Sequence, residues 1–593
     1  VIRRDSSPRE GYVLIAVLIV VAVLALVSYR FTDAMTTEYR AAVRTADMAK
    51  LRAGALAGIH YTAASLADPN TVNGTLGGNI TNNASAFSNL TISTDSKYPN
   101  KQVRVSIISV TPTGTQGSYQ QQYGVINEGS KLNINSWIAI DPSGTALYNA
   151  LMLLPNMTAQ TASNIVAWVT PANTSPPSNA PAGMQSAYYE TLTPSYQAKN
   201  GPLNSLEELL LVQGVTPQLL FGNDQNRNGL PDDSNGQSVD RGWSDYLTVH
   251  GRELNVDSTG NFRINVNGDD LNAIYSALQS AGIDKGTAAY IIGAKLYGTI
   301  PYPLPSIVVS VAGNTTNGGN NNNGNNNGNN SSGSKGGSSK GSGGTTSKSG
   351  GSSGGGTKGG SSGGTKGGTS GGATPPPATG GIQTKVGTID ELIAEVEASL
   401  QNASSSGKTI PSVLGLANSQ INLPVKRAAD GTQTQTIVYS PLNDTTTLTN
   451  LLPTLMDKLT TTSNVELSPR IDVATAPAQV LQSIPGLTLS DVDTIVAAQS
   501  GLTPGDPATT SGAWLVTAAN LPIAKYQLIQ KYVTGSSMVY RIHAVAYFTG
   551  GGPMVRMEAV VDTNLGAPRI LSLRDLTAID NPRGFPMQPQ PQH

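Results

Sequence analysis

Arg9-Glu10-Gly11-Tyr12-Val-Leu-Ile-Ala-Val-Leu-Ile-Val-Val-Ala-Val-Leu-Ala-Leu-Val27 is the stretch on which the reading of this chain turns. A polar segment carrying Arg3, Arg4 and Arg9 ends in a glycine, and an uninterrupted apolar run starts at the next residue. An ordinary export signal is cut behind its apolar run, beside small residues. Val27-Ser-Tyr-Arg30 is a poor site of that kind, and helical sequence continues from Thr36 to Leu66. The expected cut is therefore between Gly11 and Tyr12, which leaves the apolar run on the mature protein. With Ser28, Tyr29, a snorkelling Arg30 and Phe31 the run reaches about 20 residues, enough to cross a bilayer core of roughly 30 Å. Arginines on the leader side put the N-terminus in the cytoplasm.

Composition narrows the classes. The chain has 593 residues, room for several domains, and a net charge of -1, so it has no general electrostatic attraction to nucleic acid or anionic lipid. Cysteine is absent, which excludes disulfides and thiol chemistry. The four histidines, His60, His250, His543 and His593, are scattered, with none of the spacings of a zinc hydrolase. No Gly-x-Ser-x-Gly elbow or phosphate loop precedes a helix. Glu207-Glu208 are adjacent carboxylates, but neighbouring helix positions point apart, and a capping or surface role is expected. The chain is not expected to be an enzyme.

Gln102-Val-Arg-Val-Ser-Ile-Ile-Ser-Val110 alternates like a half-buried strand, with Gln122–Asn127 as its hairpin partner. Met538–Phe548 and Met554–Asp562 read as a second hairpin across Gly550-Gly-Gly-Pro553, and Arg569–Arg574 as a third strand. A sheet assembled from both ends of the chain, around a helical insertion, follows. Residues 313–381 are low complexity, Asn/Gly and then Gly/Ser/Thr with five lysines and no acid. Such a composition cannot offset its ordering entropy and is expected to be a disordered linker.

The central region repeats itself. Lys131-Leu-Asn-Ile-Asn135, Arg263-Ile-Asn-Val-Asn267 and Arg470-Ile-Asp-Val-Ala474 share one order: base, apolar, Asx, apolar. Each precedes two short helices joined by a tight turn, at Leu147–Val169, Leu271–Leu296 and Pro477–Ala498. Thr or Asp is expected to cap the second helix of each pair. Leu206–Pro217 is a looser fourth copy. The pairs resemble helix-hairpin-helix units, which elsewhere grip nucleic-acid backbones. That use needs nearby cations, and the second helices offer only Lys285 and Lys295.

The glycine before the apolar run resembles the class III signal of type IV pilins and pseudopilins, cut by a prepilin peptidase. Lys131-Leu-Asn-Ile-Asn135, Asn200-Gly-Pro-Leu-Asn-Ser-Leu-Glu-Glu-Leu209 with Val212-Gln-Gly-Val-Thr216, and Ile471-Asp-Val-Ala-Thr-Ala-Pro477 with Leu481 resemble the signatures of K-class minor pseudopilins of type II secretion systems, the GspK family. Ala16 stands where most pilin-like proteins carry a glutamate, which members of the K class characteristically lack. The resemblance implies an α+β fold: an N-terminal transmembrane helix, a pilin-like antiparallel sheet and an inserted helical domain. It also implies a bacterial inner-membrane subunit with a periplasmic body, partnered by other minor pseudopilins at the tip of the pseudopilus and acting in assembly initiation and protein export. Trp168-Val-Thr-Pro171 departs from the family, where acidic residues are usual, so the family's metal ligands do not transfer there.

The expected organisation is 1–11 leader, 12–66 membrane and stalk helix, 67–130 first part of the α/β domain, 131–300 inserted helical domain, 313–381 linker, 382–530 helical region and 531–580 C-terminal strands. One constellation resembles a metal site. Asp224, Asn226, Asn228, Asp232 and the Leu230 carbonyl occupy calcium-loop positions around Gly229. Asn235 stands where a bidentate glutamate is usual, so Asp233 is the expected substitute. Calcium is the expected ion. The other function the sequence allows is a membrane-anchored helix-hairpin-helix protein binding DNA in an uptake or pilus system.

Overall fold

The computed structural model describes residues 10–93, 97–112, 119–172, 174–224, 227, 242–302, 382–401 and 407–578. The low-complexity stretch 313–381 therefore lies outside the described residues. Helix α1 runs over Glu10–Ala67, 58 residues, a rod of about 87 Å at the helical rise. Among the described residues it is the helix long and apolar enough to cross a membrane, and its apolar window is unburied. It continues through Gly11, so the expected cleavage bond lies inside its first turn.

The second half of α1 does different work. Leu51, Ala55, Ile59 and Ala63 recur every fourth residue, so they share one face, and all are buried. Gly54 and Gly58 lie on the contact. A Cβ on either would come 2.5 Å from Val103 Cγ1 or Val105 Cγ1 respectively. The missing side chains let the helix sit directly on the sheet.

That sheet has seven strands, all paired antiparallel: β1 Leu90–Ser93, β2 Val103–Pro112, β3 Tyr119–Tyr123, β4 Ile126–Asn127, β5 Val539–Phe548, β6 Met554–Asp562 and β7 Arg569–Asp575. The order is β1-β2-β5-β6-β7, with β3 on β2 and β4 on β5. The β2–β5 ladder, His543 opposite Ile108 through Phe548 opposite Val103, joins the two ends of the chain. The expected partner strand 122–127 is split. Residues up to Tyr123 pair with β2, and Ile126-Asn127 cross to β5. Gly124 makes the step where its backbone passes Thr81 too closely for a side chain.

Strand alternation separates two faces. Ile542, Ala544, Ala546, Val555, Ala559 and Val561 face α1 and build one core. Arg541, His543, Arg556 and Glu558 take the intervening positions and meet the inserted body. That body has its own, larger core, which contains Trp137, Trp168, Trp243 and Trp514.

Within the insertion the base–apolar–Asx repeat is a repeat of structure. Leu132-Asn133, Ile264-Asn265 and Ile471-Asp472 each form a two-residue parallel bridge, with Leu247-Thr248, Leu459-Thr460 and Val533-Thr534. Helix pairs follow: Thr145–Leu151 with Ala159–Val169, Leu271–Ser280 with Lys285–Tyr297, and Ala478–Gln482 with Leu489–Gln499. Thr158, Asp284 and Thr488 cap the second helices by accepting from the backbone three residues on.

Region 382–530, expected to be helical, also carries a second sheet. Gln383–Val386, Gln433–Tyr439, Ser419–Asn422 and Ile300-Pro301 lie side by side, with Lys426-Arg427 on Gln433–Tyr439. Thr432-Gln-Thr-Gln-Thr436 is polar at both alternating sets of positions, so no hydrophobic period marks it as a strand.

Candidate functional site

The three repeat bases do the same local job. Lys131 Nζ donates to Ser244 O at 2.9 Å, Arg263 Nε to Asp457 O at 2.9 Å and Arg470 Nη1 to Gln530 O at 3.1 Å. Each carbonyl lies at the end of the helical turn that leads into the partner strand of the bridge. A cation there satisfies an orphan carbonyl and the negative end of the helix dipole. The Asx residues close the motif: Asn133, Asn265 and Asp472 accept backbone N–H bonds from Ser136, Asn267 and Ala474. Asn135 is bonded to the second signature, accepting from Leu203 N at 2.8 Å and donating to Leu203 O at 2.9 Å.

Two of these motifs reach the sheet. Asn127 Nδ2, on β4, donates to Asp472 Oδ2 at 2.6 Å. Beside it lies an ionic layer between the outer sheet face and the inserted body. Glu128, fully buried, accepts from Arg541 Nη2 at 2.5 Å and from Thr248 Oγ1 at 2.7 Å, with Lys131 Nζ at 3.9 Å. Arg541 also holds Glu558 at 2.9 Å, its neighbour on β6. Glu207 of the insertion is bridged by Arg574 of β7 (Nη2–Oε2 2.5 Å) and by Arg227 at 2.9 Å. Arg252 joins Asp562 at 3.1 Å. Lys131, Glu207, Arg227, His250, Arg541, Arg556, Glu558 and Arg574, among others, line a cavity of about 120 Å³.

Burial alone raises a carboxyl's pKa. In Glu128 burial is outweighed by Arg541 and Lys131, which hold it well below the usual carboxylate range. Glu558 is likewise desolvated yet held down to about 2, chiefly by Arg541. His543 lies opposite Glu558 across the β5–β6 ladder, with Nε2 3.7 Å from the carboxylate. Burial pushes its imidazole down to about 4, against the pull of Glu558, so it is neutral at pH 7. Asp472 has no cation beside it among the described residues: burial raises it to about 6, and the bonds from Ala474 N, Thr475 and Asn127 only moderate the rise. Paired guanidinium and carboxylate groups of this kind hold two bodies in register; each glutamate in the layer already faces an arginine.

The sequence-predicted residues fare unequally. Of the calcium loop, Asp224 lies on the cavity wall, while Asn226, Asn228, Leu230, Asp232 and Asp233 lie outside the described residues. Arg227, within that loop, has φ +55° and stacks over Phe221 at 4.2 Å. Glu208 closes a capping box with Ser205 and pairs with Lys199 at 2.6 Å, whereas Glu207 reaches the sheet. The two second-helix bases are spent: Lys285 pairs with Glu397 at 2.8 Å, and Lys295 is buried, donating to Asn267 O. Trp168 fills the core edge-on to Tyr189, where no acid could lie unpaired. Sequence reasoning missed Glu128, Arg541, Glu558 and Arg574. For Arg541, Glu558 and Arg574 the signal was charge at alternate positions of strands, the pattern of a solvated face; Glu128 lies in a short turn after its strand.

No curated protein and no solved structure matches the chain. Residues 130–221, which carry Lys131, Asn135, Leu203 and Glu207, match the family model described as Type II secretion system (T2SS), protein K. That match bears out the resemblance to the K-class minor pseudopilins of type II secretion systems.

Proposed function

We propose that this chain is a minor pseudopilin that sits at the tip of a type II secretion pseudopilus and helps to start its assembly. One observation carries the reading: α1 leaves its apolar first half wholly uncovered while its second half anchors a sheet whose other face bears a large inserted body. The uncovered half waits in the inner membrane, N-terminus in the cytoplasm, and then packs beside partner helices. Ala16 offers no carboxylate to a neighbour's terminal amine, which fits a subunit with nothing stacked above it. The inserted body blocks further addition. A prepilin peptidase cuts between Gly11 and Tyr12. Calcium bound by the loop from Asp224 to Asp233 orders the inserted helical domain.

The test is co-purification from membranes with the other minor pseudopilins of the same secretion locus. A discrete heteromer that includes this chain, and loss of secretion without it, are expected. N-terminal mass analysis reads the processing, and a mature start beyond Val27 would contradict membrane anchoring. For calcium, excess ion should raise the melting temperature. Asp224→Ala with Asp232→Ala should abolish the rise; a full rise in that variant would place calcium elsewhere.

A further inference from the structure

Among the described residues, the second sheet packs one face against helices and leaves Val386 and Tyr439 exposed on the other. Val438 and Ile421 pack under helices Lys285–Tyr297 and Ile389–Gln401, and Lys385 and Lys426 pair with Glu391 and Glu395 of the latter on the same side. Alternation therefore turns Gln433, Gln435, Ile437 and Tyr439 outward. The register sets Gln420 beside Tyr439, Asn422 beside Ile437, and Val386 on the other flank of Ile437. Tyr302 lies against Tyr439, ring centroids 4.8 Å apart and tilted by 47°.

Several amide side chains of the body are used internally: Asn127, Asn135, Asn164, Asn267 and Gln499 all bridge separate segments. Among the described residues, the side chains of Gln420, Gln433, Gln435 and the hydroxyls of Tyr302 and Tyr439 make no hydrogen bond within the chain. Among those same residues the face has no carboxylate, and its one charge is Arg427, opposite Gln433. Between the amides lie exposed apolar groups, Val386 at 60% and Tyr439 at 36% exposure.

We propose that this open face binds a neutral glycan strand. Sugar rings present apolar C–H faces and a periphery of hydroxyl and acetamido groups. Tyr302, Tyr439 and Ile437 supply surface for the first, and the three glutamines supply both donors and acceptors for the second. The run Gln433–Tyr439 is about 20 Å long, the reach of a short oligosaccharide. A charged polymer would meet no matching field here, and an apolar peptide would bury the amides unpaired. The inference is independent of the place of the subunit in the pseudopilus.

The experiment titrates the full chain, in detergent micelles, with a hexamer of β-1,4-linked N-acetylglucosamine, followed by calorimetry. Saturable binding is expected, weakened roughly tenfold by Tyr439→Ala and similarly by Gln433→Ala with Gln435→Ala. The melting temperature should stay unchanged, since these side chains are not core. No binding up to about 10 mM sugar overturns the proposal. So does binding that both variants leave intact, which puts the sugar elsewhere. Self-association that Tyr439→Ala abolishes, without sugar binding, assigns the face to a second copy instead and also overturns it.

Discussion

Arg541 holds two buried carboxylates, and Glu128 has no exposed surface at all. Removing the guanidinium strands a charge that cannot return to water without separating the bodies. Arg541→Met should cost about 3–5 kcal/mol in urea unfolding, the scale of a broken buried pair. Much of that loss should be absent when Glu128→Gln is made first, because the stranded charge is then gone. His543 supplies a pH test. It is a base whose folded value, about 4, lies below the ordinary 6.5, so the unfolded chain protonates first as pH falls. Its contribution is complete above about 6.5 and is lost through that window down to 4. Asp472, raised from 3.8 to about 6, acts oppositely: stability falls as pH rises through its window. The difference isolates His543. The melting temperature of His543→Gln, relative to the parent, should climb steadily from pH 7 to pH 5. A constant difference would mean that the imidazole is solvated.

At the scale of elements, the seat of α1 on the sheet depends on two absent side chains. Gly58→Ala places a methyl 2.5 Å from Val105 Cγ1, inside the core between α1 and the sheet. Overpacking of this kind costs about 1–3 kcal/mol. Adding Val105→Ala should recover part of the loss, and thermal unfolding of the pair reads the compensation. The helix pairs depend on caps. Asp284→Ala removes the acceptor of the Thr287 amide at 2.9 Å and should cost about 1 kcal/mol. Asp284→Ser should restore most of it. An equal loss from both would show that the cap is not what Asp284 contributes.

Among the described residues, two large apolar cores meet through a polar layer, with a small cluster at Ile108 and Val545 on the outer sheet face. All four tryptophans lie in the inserted body and none in the α1–sheet core. Tryptophan fluorescence therefore reports the insertion alone, while circular dichroism reports the whole. In the parent protein the two transitions should nearly coincide. In Arg541→Met the sheet should lose its register with the insertion, and the midpoints should part, since coupling between domains is what makes unfolding all-or-none. Coincident midpoints in the variant would show that the chain crossings, rather than the ionic layer, carry the coupling.

Local pattern was enough for much of this. The apolar run at Tyr12–Val27, the alternation at 102–110 and 538–562 and the repeated base–apolar–Asx motif are short-range signals, and they located the long apolar helix, the strands contributed by both chain ends, and the capped helix pairs. Each depends on periodicity or capping, which act within a few residues. The polar strands at 383–386 and 433–439 were not legible, because their character comes from neighbours and helices brought in from elsewhere. Nor were the partners of Glu128, Glu207 and Asp472. Arg541 is 413 positions from Glu128, Arg574 367 from Glu207 and Asn127 345 from Asp472. A charge at an alternate strand position reads as solvent-facing until a second body covers it. Only the folded chain decides whether it meets water or an opposite charge, because pairing across such separations is set by packing and not by sequence spacing.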